Sequence, residues 1–94
     1  MFDDNGYPSE ESLELIKNWP SSDFEGLMVF VYTLWNYNKY WKQKGNTYRI
    51  STCGWSGNED IICALMDNRI FWMLCWESSK RGGHYVFKVK NYVG

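Results

Sequence analysis

The stretch Ser51-Thr-Cys-Gly-Trp-Ser-Gly-Asn-Glu59 decides the fold. Tyr48 to Thr52 carries β-branched and aromatic residues that favour a strand. Cys53-Gly54 then reads as a turn. Ser56-Gly-Asn-Glu59 has the spacing of a capping box, and Ile61, Ile62, Leu65 and Met66 follow at helical spacing. A helix is expected to stop near Asp67-Asn68. Beyond it, Ile70 to Glu77 is apolar on both alternating faces: Ile70, Trp72, Leu74 and Trp76 on one, Phe71, Met73 and Cys75 on the other. That pattern predicts a strand covered on both sides. The unit from Tyr48 to Glu77 has the length of a βαβ crossover. If its strands are parallel, the 53–58 loop and the 78–83 turn meet at one end of the sheet. If they are antiparallel or non-adjacent, no such composite site is expected.

Outward from this unit, Ser9 is an expected helix cap, with Glu10 and Glu11 in the first turn and Leu13 and Ile16 on one face. Asn18-Trp19-Pro20 ends that helix. Ser22-Asp-Phe-Glu25 reads as a second capping box ahead of Phe24, Leu27, Val31 and Leu34. Tyr40 to Lys44 and Tyr48 to Thr52 predict two strands joined around Gly45-Asn46. His84 to Tyr92 predicts the last strand, with Tyr85, Phe87 and Val89 inward and Lys88 and Lys90 outward. The expectation is one α+β domain over residues 9–94, after a flexible lead-in at 1–8. Its order is ααββαββ, with a four-stranded sheet packed by helices.

Ninety-four residues hold one core, and a chain this short buries roughly two-thirds or less of its unfolded surface. Aromatic residues make up 19% of it, enough to serve both core and contact surface. The net charge of −1 gives no overall field to attract nucleic acid, although Lys39 to Arg49 and Lys80 to Lys90 are locally basic. The three cysteines, Cys53, Cys63 and Cys75, have no CxxC spacing, which suggests neither a disulfide framework nor a metal site. Cys63 and Cys75 fall in apolar patterns and are expected in the core. The start Met-Phe-Asp-Asp is acidic, so no signal peptide is expected, and no apolar run has membrane length. A reduced cytoplasmic setting fits.

The composite edge would gather Trp55, Ser56, Gly57, Asn58, Ser78, Ser79, Lys80, Arg81 and His84. Helix-start amides with Arg and Lys suit a phosphate or carboxylate, and Trp55 could stack on a base. The same residues have structural duties that would account for them: the glycines shape a turn, Ser56 caps and Trp55 packs. Cys53 and His84 are the one nucleophile-and-base pair in view, and no third orienting group stands out. The string Trp35, Tyr37, Tyr40 and Trp41 with Lys39, Lys42 and Lys44 has the mixture used by single-strand nucleic-acid binders. It also suits rings packed on a sheet.

From Tyr48 to Phe87 the chain resembles small proteins of bacteriophages and prophages. The matching residues are Ser51-Thr52, Gly54-Trp55-Ser56-Gly57-Asn58-Glu59, Ile61-Ile62, Ala64-Leu65, Phe71-Trp72, Cys75-Trp76, Ser78-Ser79 and Arg81-Gly82-Gly83-His84-Tyr85. Cys53 stands where those proteins would be expected to have glycine. The resemblance implies a phage origin, and with no convincing catalytic set in view the expectation is a non-enzymatic accessory protein without cofactor that acts against host defence, as small phage proteins often do. It would do so by binding a host protein or a small anionic, nucleotide-like ligand. The alternative is an interaction module or homo-oligomer that uses exposed aromatics such as Tyr37 or Trp41.

Overall fold

The structure, a computed structural model, describes Phe2 and residues 6–90. Helix α1 spans Glu10–Lys17, α2 Phe24–Leu34, α3 Ser56–Asp67 and α4 Arg69–Cys75. Strand β1 spans Lys42–Lys44, β2 Thr47–Ser51, β3 Trp76–Lys80 and β4 His84–Lys88. The helices pack on one face of a four-stranded antiparallel sheet of order β1-β2-β4-β3. This is the α+β fold expected, and the element order holds with one helix, α4, added. Part of the lead-in expected at 1–8, residues 1 and 3–5, lies outside the described residues, as do 91 and 92 at the end of the expected last strand. Phe2 and Pro8 form an isolated antiparallel bridge.

Ser9 caps α1 as expected: its hydroxyl accepts the Ser12 N–H at 3.1 Å. Asp23, not Ser22, caps α2, accepting the Gly26 N–H at 3.2 Å. Pro20 is the cause. Its carbonyl accepts the Asp23 N–H at 3.1 Å, which closes a 3-10 turn over Ser21–Asp23 before the α-helix begins. Nor does Ser56 cap α3. Trp55 occupies the cap position without a side-chain cap bond, and its carbonyl accepts the Glu59 N–H at 3.1 Å. The preceding turn sets this phase. The Trp55 N–H donates to the Thr52 carbonyl at 3.0 Å, with Cys53 and Gly54 at φ 53° and 74° between them.

The strand expected over Ile70–Glu77 is mostly a helix. A segment apolar at every position satisfies both periods, so alternation does not discriminate. Asn68 does: its Oδ1 accepts the Phe71 N–H at 3.3 Å and starts α4 one residue past α3. Phe71 and Cys75, four apart, are buried, whereas Ile70 and Met73 face out, Met73 at 81% exposure. The chain leaves α4 at Trp76 into β3, which is an edge strand and not the central one expected.

The core lies between the helices and the inward strand residues Tyr48, Ile50 and Phe87. Phe71 is its hinge of rings, edge-on to Phe24 at 5.2 Å and tilted against Phe87 at 5.4 Å. Burial pushes the Cys75 thiol pKa up. That sulfur donates to the Lys90 carbonyl at 3.6 Å and accepts the Lys90 N–H at 3.4 Å, tying the chain after β4 to the end of α4. Cys63 is exposed, contrary to expectation, because Ile61, Ile62, Ala64 and Leu65 already fill the buried stripe of α3.

Candidate functional site

Strands β2 and β3 both pair antiparallel with β4, so they run in one direction with β4 between them. They are not the neighbouring pair of a crossover unit. Their ends nevertheless coincide: Ser51 and Lys80 both pair with His84. The Thr52 N–H donates to the Gly83 carbonyl at 2.9 Å, so the loops after β2 and β3 adjoin. Gly83 has φ 79°, and a Cβ there would overlap Thr52 Oγ1. Glycine is required at that position on both counts.

The nine residues expected at this edge divide. Ser78, Lys80 and His84 line a hollow of about 400 Å³ over the sheet, together with Tyr40, Lys42 and Arg49. Arg81 is exposed in the turn beside them. Trp55 lies elsewhere, stacked on Tyr7 at 5.3 Å with the ring planes 7° apart, and covering Gly57 so closely that a Cβ would strike the ring. It lines a separate hollow with Phe2, Gly6 and Asn36. Ser56 is exposed at the helix start, and Ser79 accepts the Trp76 indole N–H at 2.7 Å. Asn58 is 0% exposed and occupied with backbone: it bonds Asn36 and Thr52. The Cys53 sulfur lies 3.8 Å from Ser51 Oγ and 3.9 Å from the Ser51 carbonyl.

The aromatic and basic string also divides. The Trp35 indole donates to the Ser51 carbonyl at 3.1 Å from a buried position. Trp41 sits edge-on to Tyr32, Trp35 and Tyr48. Tyr37 and Tyr40 are exposed, and Lys42 and Lys44 enter β1.

What the string and the edge share is the outer sheet face. Cross-strand partners lie on one face. Lys42 pairs with Arg49, Arg49 with Val86, and Val86 with Ser78. Lys44 pairs with Thr47 and Thr47 with Lys88, while Ser51, His84 and Lys80 form the third row. These ten positions hold five Lys and Arg residues, all exposed, and no carboxylate. Among the described residues the one ion pair is Lys17–Glu14, so none of the five is neutralised. Among the described residues the acidic ones stand on α1, α2 and α3 and the turn before α2, with Glu77 at the bulge in β3. Half of the ten Lys and Arg residues thus gather on one sheet face. Alternation of Lys42, Arg49 and Lys88 with inward neighbours was the signal for this face. Which strands lie side by side was not.

Comparison with protein-family models, with curated proteins and with solved structures finds no match. No helix among the described residues is long and apolar enough to cross a membrane. No group of three or more His, Cys, Asp or Glu among them is placed to hold a metal ion.

Proposed function

We propose that the chain is a non-enzymatic binding protein that holds an anionic partner against the outer sheet face and its adjoining 78–84 edge. One observation carries this reading: five exposed, unpaired cations, and no carboxylate, among the ten paired outward positions of the sheet. Edge protection would account for Lys42 and Lys44 on β1, since charged edge residues deter strand addition. It does not account for Arg49 and Lys88 on the two central strands. Lys42 stands directly opposite Arg49, a like-charge pairing that works against the fold. Local choices that oppose folding concentrate at functional surfaces. The role we favour follows the phage resemblance of residues 48–87: occupying a host component to blunt host defence.

Retention on a heparin column tests the binding. The wild type is expected to bind at low salt and elute on a salt gradient, and Arg49→Glu with Lys88→Glu is expected to flow through. Flow-through of the folded wild type at low salt would refute the reading.

A second reading rests on a different surface. The α1 end and the turn before α2 enclose an open hollow of about 720 Å³, with Leu15, Trp19 and Pro20 among Glu10, Glu11, Glu14 and Asp23. This favours docking of a protein segment with basic residues around an apolar anchor, at a site apart from Tyr37 and Trp41. Trp19 is held rigid there, its indole donating to the Asp23 carbonyl at 2.8 Å and its ring stacked on Phe30 at 5.3 Å.

A further inference from the structure

We infer that the partner of the outer sheet face is single-stranded nucleic acid, with phosphates on Lys42, Lys44, Arg49, Lys88 and Lys80 and one base at Tyr40. This rests on the anion-binding reading above and narrows it to a class of ligand.

A small anion engages few of five cations spread over four strands; three classes of extended anion span them, an acidic protein, a nucleic-acid duplex or a single strand. An acidic protein would need an apolar centre to bury, because the middle of protein interfaces is depleted of charge. The centre of this face is Val86, half-buried, flanked by Arg49 and Ser78. No other apolar side chain stands among its ten outward positions. Nucleic-acid interfaces are the more polar and far more positive kind. A duplex is read by an element that projects into a groove. Here the cations lie on the sheet surface itself, spaced about 7 Å along a strand and about 5 Å between strands. An exposed sheet suits a single strand, whose sugar-phosphate chain can follow the cations while its bases splay.

The neutral side chains fit as well. Thr47 and Ser78 place half-buried hydroxyls among the cations, and hydroxyls bond both phosphate and base edges, whereas the buried Ser51 hydroxyl accepts the Cys53 N–H at 3.3 Å. Tyr40 lines the same hollow as Lys42, Arg49 and His84 and is 46% exposed. Lys39 stands over its ring at 5.2 Å. A ring beside a cationic track is the stacking platform that sequence-tolerant single-strand binders use. The hollow of about 400 Å³ has room for a base beside that ring. The net charge does not oppose this, because none of the carboxylates among the described residues holds one of the ten paired outward positions.

Fluorescence anisotropy with labelled oligothymidine and oligouridine of about a dozen nucleotides, within the span small domains cover, tests the inference. A labelled polyglutamate peptide and a blunt DNA duplex serve as competing anions. At least one single strand is expected to bind about tenfold or more tighter than either. The slope of log K against log salt is expected between about −2 and −3.5, since each neutralised phosphate contributes about −0.7. Arg49→Glu is expected to weaken binding about tenfold or more and flatten that slope. Tyr40→Ala is expected to weaken it about fivefold at unchanged slope. Circular dichroism verifies that both exposed-site variants fold. Polyglutamate or duplex binding as tight as the single strands would overturn the inference and leave the anion-binding reading standing. Absence of binding to any of the four anions at low salt would overturn both.

Discussion

Asn58 reads the backbone of Asn36 in both directions. Its Oδ1 accepts the Asn36 N–H at 3.0 Å, and its Nδ2 donates to the Asn36 carbonyl at 2.9 Å and to the Thr52 carbonyl at 3.3 Å. One buried amide thus joins the chain after α2, the turn after β2 and the first turn of α3. Asn58→Ala is expected to cost about 2–4 kcal/mol in urea denaturation, because three backbone groups lose their partner together. Asn58→Asp is expected to be no better, since a carboxylate cannot donate to the two carbonyls. A loss well under 1 kcal/mol for the alanine variant would mean that other groups satisfy this backbone.

Gly83 offers a sharper steric test. Ala at this position meets both a positive φ and the Thr52 hydroxyl. Gly83→Ala is expected to destabilise by about 2 kcal/mol or more. Gly82, also at positive φ but with only the His84 ring near its Cβ position, is expected to cost about 1 kcal/mol on the same change. Equal losses at the two sites would show that backbone strain alone is at work. Adding Thr52→Ala to Gly83→Ala should then recover nothing.

Cys53 holds φ 53°, where an L side chain is strained. Replacing it with glycine is expected to raise stability by about 0.5–1 kcal/mol, relief of strain outweighing the added freedom of the unfolded chain. Gly54→Ala, at φ 74°, is expected to do the opposite by about 1 kcal/mol. Thermal unfolding of the two variants side by side decides the sign.

Binding and stability should separate at Lys42. Lys42→Glu turns a like-charge pair with Arg49 into an opposite-charge pair. It is expected to stabilise the fold by about 0.2–1 kcal/mol while weakening retention on heparin. A variant that gains stability and keeps full retention would remove Lys42 from the binding face.

Two buried groups set the alkaline limit. Burial chiefly pushes the Cys75 thiol above its ordinary value near 9.0. Burial, then the Glu25 carboxylate, pushes the Tyr48 phenol above 10.0. Each group keeps its proton in the fold at a pH where the unfolded chain has lost it. The unfolded state then binds fewer protons, so stability falls as pH rises. Their contribution is whole below the unfolded values and is lost as pH climbs through the folded ones. Urea midpoints followed upward from pH 8 should decline, and Cys75→Ala should remove the earlier part of the decline and Tyr48→Phe the later part. Unchanged pH profiles in both variants would assign the decline to other groups.

How far residues announce structure differed along the chain. Ser9 and the Asn18–Pro20 stop act within a few residues, and the bounds of α1 that they set are legible locally, whereas the start of α2 shifts by one residue to Asp23. Ile70 to Cys75 was not legible, because side chains apolar at every position suit either period. Asn68, which decides the matter, bonds the Ile16 carbonyl at 3.0 Å across the fold. Asn58 was assigned to a ligand for a similar reason: a buried amide and an exposed one look alike until their distant partners are placed. The ends of β2 and β3 are expected together only if the two strands neighbour each other; they do not, yet their ends adjoin through β4. The basic face needed that same placement, because Arg49 and Lys88 become neighbours only when β4 enters between β2 and β3.

That insertion makes β4 the shared partner of strands that precede it in the chain. Until residues 84–88 arrive, β2 has only the short β1 beside it and β3 has no strand partner within the sheet. A nascent chain halted before His84 can form its helices and one hairpin but cannot assemble the sheet. Assembly is therefore expected to come in one late step, governed by contacts distant in sequence. The cationic track exists only once that step is complete, so a partially made chain is expected to show none of the anion binding proposed for the whole one.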